Sequence, residues 1–318
     1  MRRVVVSLLL LLLFSAPMLA DGPEALLAEG RADEALALLK ERVKQEPRDA
    51  GAWHLLSRAY FGMERWGDAV NAGEKAVSLE PGNARFHLWL GREYGEKAEH
   101  SIFFTAIGLA KKTRAEFEKA VELQSNDLDA QSDLAEFFIE APSFLGGGKD
   151  KAEAQAQKLA SVDPATSHWI RARIAEKDSR PDEAELEYKA AIAASNNKAG
   201  YWLNLASFYR RTKRFAEMES AINKAVAANR SHDDVFYEGA ELLFKAGRNF
   251  PVAAQFLRKY LSSNDKVEQA PTYQAHYLLG SILEKMGDRQ AAAVEYRAAL
   301  SLARDFGPAQ DALRRLAP

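Results

Sequence analysis

Apolar and small residues return along this chain in two rhythms. In the short rhythm, positions three, four and seven apart are apolar or small, which is typical of a helix with one buried face. The long rhythm repeats the same order of large and small residues about every 34 residues. The most complete copy contains Trp53, Leu56, Ser57, Tyr60, Ala69, Ala76 and Pro81. The pattern therefore predicts a series of helix pairs.

Small and large residues have separate tasks in this pattern. Small residues such as Gly91 and Gly280 let the two helices of a pair approach closely, and large ones such as Trp53 and Tyr296 fill the space between successive pairs. Proline is expected to end each second helix because it has no N–H, and glycine or aspartate to close the turns. The prolines concerned are Pro47, Pro81 and Pro164, and the turn residues are Gly62, Gly247, Gly287 and Asp288.

These residues and their spacing resemble the tetratricopeptide repeat family over nearly all of residues 24–306. The resemblance implies an all-α fold, a right-handed superhelical solenoid of helix–turn–helix units whose first helices line a concave groove. It also implies a protein-interaction scaffold, since members of the family mostly act in this way. About eight units are expected within 21–306, two of them lengthened by insertions, with a capping helix over 307–318. The units are 24–49, 50–83, 84–127, 128–164, 165–198, 199–232, 233–267 and 273–306.

The family geometry places a basic and aromatic cluster on the groove side of units two and three. This cluster suits an acidic or C-terminal peptide segment of a partner protein, with Arg58, Trp89 and Arg92 as anchors. Ordinary solvated groove lining is the alternative. The cluster comprises His54, Arg58, Phe61, Arg85, Trp89 and Arg92, whereas Asp133, Glu136, Glu238 and Glu241 of units four and seven predict an acidic stretch elsewhere in the groove.

Units three and four carry insertions rich in apolar residues. Phe103 and Ile107 are four apart and share a helix face, so both helices of unit three are expected to be lengthened and to project past the stack. Equivalent turns of consecutive units lie side by side, so the two insertions should meet at one edge. Either they cover each other as a satellite core, or they form a docking site. The residues are Ile102, Phe103, Phe104 and Ile107 in unit three and Phe144 and Leu145 in unit four.

The N-terminus has the pattern of a secretory signal over residues 1–20. Arg2 and Arg3 precede an apolar run over 4–14, and small residues surround a cleavage point after Ala20. We therefore expect an exported, periplasmic protein; an uncleaved membrane anchor is the alternative. The chain has no cysteine and a formal net charge of -2, so disulfides are excluded and nucleic acid is a poor partner.

No motif for catalysis or for a cofactor stands out. Gly146–Lys149 lacks the spacing, the Ser or Thr and the preceding strand of a phosphate-binding loop. Four of the six histidines fall at or beside packing positions of the repeat, and no metal-ligand spacing is present. We therefore expect no enzyme and no cofactor or metal, with any membrane contact only indirect. The preferred function is a non-enzymatic periplasmic scaffold that binds a partner's peptide segment in its groove. The alternative is an accessory subunit of an envelope export or assembly machine that docks through residues 102–109.

Overall fold

The computed structural model describes residues 22–230 and 233–316. In this part the chain forms seventeen α-helices and no strand, arranged as consecutive helical hairpins, which confirms the predicted all-α solenoid. The predicted signal segment 1–20 lies outside the described residues. The helices are α1 Pro23–Ala28, α2 Ala32–Gln45, α3 Ala50–Gly62, α4 Trp66–Leu79, α5 Ala84–Glu99, α6 Phe103–Leu123, α7 Leu128–Glu140, α8 Lys149–Leu159, α9 Pro164–Lys177, α10 Pro181–Ala194, α11 Ala199–Arg211, α12 Phe215–Ala228, α13 Asp234–Ala246, α14 Phe250–Ser262, α15 Thr272–Lys285, α16 Arg289–Leu302 and α17 Gly307–Leu316.

Aspartate caps fix where several of the helices begin. The Asp49 carboxylate accepts a hydrogen bond from the Ala52 amide at 2.9 Å at the start of α3, and Asp163 does the same at the start of α9. These caps satisfy amides that have no partner within the helix. Pro164 is therefore the first residue of α9 and does not end α8, which stops at Leu159; the prediction for this proline was wrong. Pro47 and Pro81 do follow the ends of α2 and α4.

The turns inside six of the described hairpins each have a residue in the left-handed region shortly after the first helix ends. These residues are Gly30, Glu64, Ser179, Lys213, Gly247 and Gly287. The prediction that Gly62 closes its turn was wrong, because Glu64 takes the positive φ in that turn. Gly62 is needed for a different reason, since a Cβ there would lie 2.6 Å from the Tyr273 hydroxyl.

The two helices of a hairpin approach each other closely at the small residues that the sequence predicted. A Cβ on Gly91 would lie 2.5 Å from the Phe117 ring, and one on Gly280 would lie 2.6 Å from the Tyr296 ring. Phe117 and Tyr296 are both buried. The aromatic ring of each of these second helices therefore packs directly on the backbone of its first helix.

The first and last units pack on each other, so the array closes on itself. A single buried apolar cluster contains residues of α1 to α4 together with Tyr273, Ala303 and Phe306. The backbone N–H of Arg304 donates to the Asp33 carboxylate at 3.0 Å. We call this contact between units one and two and the C-terminal helices the seam.

The seam also receives the longest connection between described hairpins. The loop over 263–271 joins α14 to α15, where the equivalent connections run over 46–49, 80–83, 124–127, 160–163, 195–198 and 303–306. We call 263–271 the seam loop. From just beyond its end, the Gln274 side chain donates to the Gly62 carbonyl at 2.8 Å, so the loop and α15 lie against unit two.

Candidate functional site

α3 and α5 bring four of the predicted groove residues to one cavity at the seam. Arg58, Phe61, Trp89 and Arg92 all line it, and its volume is about 310 Å³. Trp66 and Gly62 complete the wall on the side of unit two, and Glu268 and Gln274 complete it on the side of the seam loop. We call this space the seam cavity.

Trp89 is the centre of the aromatic and cationic contacts. The guanidinium of Arg58 lies 4.9 Å from the centroid of the Trp89 ring, and that of Arg92 lies 5.2 Å from it. Phe61 meets the same ring edge-on at a centroid distance of 5.7 Å. Because planar guanidinium groups stack well on indole rings, this arrangement fixes the direction of both arginines.

Both arginines already have carboxylate partners within the chain. Arg58 holds Glu268 of the seam loop, and Arg92 Nε donates to the Asp133 carboxylate at 2.6 Å. A peptide segment could use these arginines only by exchanging with those carboxylates. The predicted role of Arg58 and Arg92 as peptide anchors therefore stays a prediction.

The remaining two members of the predicted cluster do not line the cavity. His54 is buried and stacks on Phe86 at a centroid distance of 4.7 Å. Burial, together with Arg58 and Arg85, lowers the pKa of His54 to about 3, so this ring is a neutral packing group. Arg85 is exposed.

Two of the four residues of the predicted acidic stretch are neutralised by arginines of neighbouring first helices. Asp133 of α7 pairs with Arg92 of α5, Glu136 of α7 pairs with Arg173 of α9 at 3.1 Å, and Arg211 of α11 pairs with Glu176 of α9 at 2.8 Å. Basic and acidic side chains thus alternate across successive units. The other two predicted residues, Glu238 and Glu241, lie on α13 away from the seam cavity.

The insertions of units three and four meet where Arg114 of α6 contacts Leu145, but four of their six predicted apolar residues are exposed. Ile102 is 77% exposed, Phe103 67%, Phe104 83% and Phe144 64%. These four residues are called the apolar edge. The alternative of a self-covered satellite core is therefore wrong.

The apolar edge has a firm base. Ile107 and Leu145 are half-buried, and the Arg114 guanidinium donates to the Leu145 carbonyl at 3.4 Å. α6 begins directly with Phe103 and is the longest helix in the described part of the chain. Phe103 and Phe104 meet edge-on at 5.6 Å, so the tip presents two aromatic rings on a rigid support.

Several residues at the seam were not foreseen from the sequence. Glu268, Tyr273 and Gln274 hold the seam loop and α15 against unit two. The sequence did contain one indication of an unusual connection here, because residues 268–272 fit neither the seventh nor the eighth unit. An insertion in a repeat array marks a place where the chain does something other than pack against its neighbour.

The described residues were also compared with the requirements of a metal site and of a membrane-spanning helix. Among the described residues, no group of three or more His, Asp or Glu side chains is placed to hold a metal ion. Over the same residues, no helix has the length and apolar content that crossing a membrane requires.

The chain is an α-solenoid of helical hairpins with two distinct surfaces, the exposed apolar edge and the seam cavity. Sequence models of the tetratricopeptide repeat match residues 26–72, 199–232 and 273–306, so these segments carry tetratricopeptide repeats. This is consistent with a protein–protein interaction scaffold. A search of the curated proteins finds no match.

Solved structures of similar fold include two repeat proteins from bacteria. A thermophilic TPR protein of Thermus thermophilus is 20% identical, with 58% of this chain and 96% of that chain covered and a TM-score of 0.47. A tetratricopeptide repeat protein of Parabacteroides merdae is 14% identical, with 87% and 98% covered and a TM-score of 0.42.

Proposed function

We propose that this chain is a non-enzymatic scaffold that docks a partner protein through its apolar edge. The observation that carries the proposal is the exposure of Ile102, Phe103 and Phe104 at the tip of a hairpin longer than the repeat needs. Soluble proteins rarely keep such a group of large apolar residues in water without a binding role. The arginines of the groove are paired within the chain, so the geometry favours the edge over the groove.

The apolar edge can supply substantial binding energy. Burying one phenylalanine side chain that was exposed contributes about 1.5–3 kcal/mol. Phe103 and Phe104 together would contribute about 3–6 kcal/mol by the same rule. Since about 1.4 kcal/mol corresponds to a tenfold change in affinity, losing both rings should weaken a complex by about 100-fold or more.

The charges around the edge favour a protein over a lipid surface. Lys112 lies 3.2 Å from the Glu74 carboxylate, and Arg114 lies 3.5 Å from that of Glu118. Lys97 and Glu99 add one charge of each sign at the end of α5. Amphipathic segments that bind anionic membranes need unpaired basic residues beside their apolar face, and an apolar groove on a partner protein does not.

The partner is expected in the cell envelope. The signal-like pattern of residues 1–20 supports export, and the absence of cysteine from the chain suits an oxidising compartment because no thiol can mispair. Within that setting, we place the chain as an accessory subunit of an export or assembly machine.

The test combines site-specific cross-linking with binding measurements. A photo-reactive residue replaces Phe104 in the full chain in its native cells, and the captured protein is identified and purified. Its affinity is then measured for Phe103→Ser/Phe104→Ser and for a matched control, Leu186→Ser/Val294→Ser. Leu186 and Val294 are 69% and 60% exposed and lie elsewhere on the array.

We expect the phenylalanine variant to lose about 100-fold in affinity and the control to bind like the wild type. Both variants should unfold at the wild-type temperature, because exposed side chains change the free energy of unfolding by roughly 0.5 kcal/mol or less. Unchanged affinity, or a large loss of stability in the phenylalanine variant alone, would contradict the proposal. So would binding of the wild type, but not of the phenylalanine variant, to anionic vesicles without any protein partner.

A further inference from the structure

The seam loop places a carboxylate against the groove arginines. Arg58 Nε donates to one carboxylate oxygen of Glu268 at 2.8 Å, and a second guanidinium nitrogen donates to the other oxygen. The two side chains are only 9% and 19% exposed. This two-point contact matches the fork of a guanidinium to the two oxygens of a carboxylate.

The surroundings of Arg58 are arranged for this contact. Stacking on Trp89 at 4.9 Å orients the guanidinium and leaves its N–H edge for an acceptor. Arg92 stacks on the same ring at 5.2 Å and is itself paired with Asp133. A carboxylate that enters here therefore meets Arg58 directly, with Arg92 close by but already paired.

The seam cavity extends beside the carboxylate. Its volume of about 310 Å³ is bounded by aromatic residues, among them Phe61, Trp66 and Trp89. This space can take the apolar side chains that flank a glutamate or aspartate in an extended segment.

The base of the seam loop is anchored on its own side of the seam. The Lys266 ammonium donates to the Tyr260 carbonyl at 2.7 Å, and the Tyr260 hydroxyl donates to the Ala270 carbonyl at 2.5 Å. Glu268 supplies the loop's ion pair to unit two. Exchange of this one carboxylate would therefore release Arg58 while the base of the loop stays in place.

We infer that Arg58, Trp89 and Arg92 form a carboxylate-binding site that Glu268 occupies in the unbound protein, and that an acidic segment of a partner protein takes over by exchange. Glu268 acts as a tethered competitor, whose effective concentration for a short connection is in the millimolar range. Acidic segments that bind weakly are excluded, and those with further contacts in the seam cavity are admitted. This site is separate from the apolar edge, and its test succeeds or fails independently.

The probe is the chain's own loop supplied in trans. A fluorescein-labelled peptide with the sequence of residues 263–271, blocked at both ends, is titrated into the full chain by fluorescence anisotropy. A second peptide has glutamine at the position of Glu268. The chain variants are Glu268→Gln, Glu268→Gln/Arg58→Lys and, as a control, Glu241→Gln, whose carboxylate pairs with Lys245 on α13.

We expect Glu268→Gln to bind the glutamate peptide at least tenfold more tightly than the wild type, since the competitor has lost its charge. Adding Arg58→Lys should reverse the gain, because lysine cannot make the two-point contact. The glutamine peptide should bind at least tenfold more weakly to Glu268→Gln than the glutamate peptide does, and Glu241→Gln should bind like the wild type.

Equal binding of wild type and Glu268→Gln, or of the two peptides, would overturn the inference. A lower unfolding temperature in Glu268→Gln without any peptide binding would also overturn it, because Glu268 would then be a structural contact alone. If Glu268→Gln does not fold, the wild type is titrated with millimolar peptide beside Arg58→Lys. Binding that is lost in Arg58→Lys supports the site, and binding that is equal in both, or missing from the wild type, contradicts it.

Discussion

Single glycines set how closely the helices of a hairpin approach. Gly280 of α15 faces the buried ring of Tyr296, and the 2.6 Å that a Cβ would have to that ring is far below a normal contact. Gly108 of α6 has no atom within 4 Å of a Cβ. The same residue type thus serves packing at one position and carries no steric requirement at the other.

Gly280→Ala should lower the free energy of unfolding by up to about 2 kcal/mol. Overpacking a filled site costs about 1–3 kcal/mol, and the better helix propensity of alanine returns up to about 1 kcal/mol. Gly108→Ala is the control and should raise stability by up to about 1 kcal/mol. Urea unfolding of both variants measures the difference; a Gly280→Ala protein as stable as Gly108→Ala would show that the ring has room.

Glu93 is a residue that the repeat pattern does not explain. Its side chain is buried on α5, and neither carboxylate oxygen has a hydrogen-bond partner in the described part of the chain. Gly73 makes room for it, because a Cβ there would lie 2.1 Å from one of these oxygens. Burial raises the pKa of Glu93 well above its ordinary value of 4.5, and the negative charge of Glu74 acts in the same direction.

This shift predicts a pH dependence with a definite sign. Above the ordinary glutamate pKa of 4.5, the unfolded chain releases the Glu93 proton while the folded chain keeps it, so the free energy of unfolding falls as the pH rises. Glu93→Gln cannot ionise. Its stability relative to the wild type should therefore increase from about pH 4.5 to about pH 7, as measured by thermal unfolding at both values. A constant difference would mean that the Glu93 carboxyl titrates normally in the folded protein.

The hairpin turns repeat a backbone conformation more faithfully than a residue type. Glycine supplies the left-handed residue at Gly247 and Gly287, whereas Lys213 adopts φ 60 at the corresponding place in its own turn. A side chain in this region costs about 1–2 kcal/mol, which tertiary packing of the hairpins offsets.

Lys213→Gly should therefore raise the free energy of unfolding by up to about 1 kcal/mol, after the entropy cost of glycine is subtracted. The matched change in the opposite direction, Gly287→Ala, should lower it by about 1 kcal/mol. Chemical unfolding of both variants measures these effects. If Lys213→Gly is less stable than the wild type, then the exposed Lys213 side chain itself stabilises the fold and the prediction is wrong.

The features that could be predicted from the sequence are those whose contacts lie within one unit or between adjacent units. The helix pairs, the close contacts at Gly91 and Gly280 and the long hairpin of unit three all follow from a period of about 34 residues and its interruptions. Gly62 was misassigned because its constraint comes from Tyr273, at the far end of the array. Periodicity describes contacts between neighbours and contains no information on such distant pairs.

Closure of the array is the property of the whole molecule on which the site depends. Whether the two ends of a superhelix meet depends on small rotations summed over many units. No single residue in the sequence therefore indicates closure. Closure places Glu268 on Arg58 and completes the wall of the seam cavity. It also leaves the apolar edge as the large exposed apolar projection among the described residues.

The distance between the two ends tests closure most directly. Because the chain has no cysteine, spin labels can be attached at Glu34→Cys of α2 and Arg304→Cys beside α16, with Gly200→Cys/Arg304→Cys as the comparison pair across the array. Double electron–electron resonance should give a short, narrow distribution of label–label distances for the first pair and a clearly longer distance for the second. A long or broad distribution for residues 34 and 304 would mean that the array is open in solution, which would contradict both the seam and the site built on it.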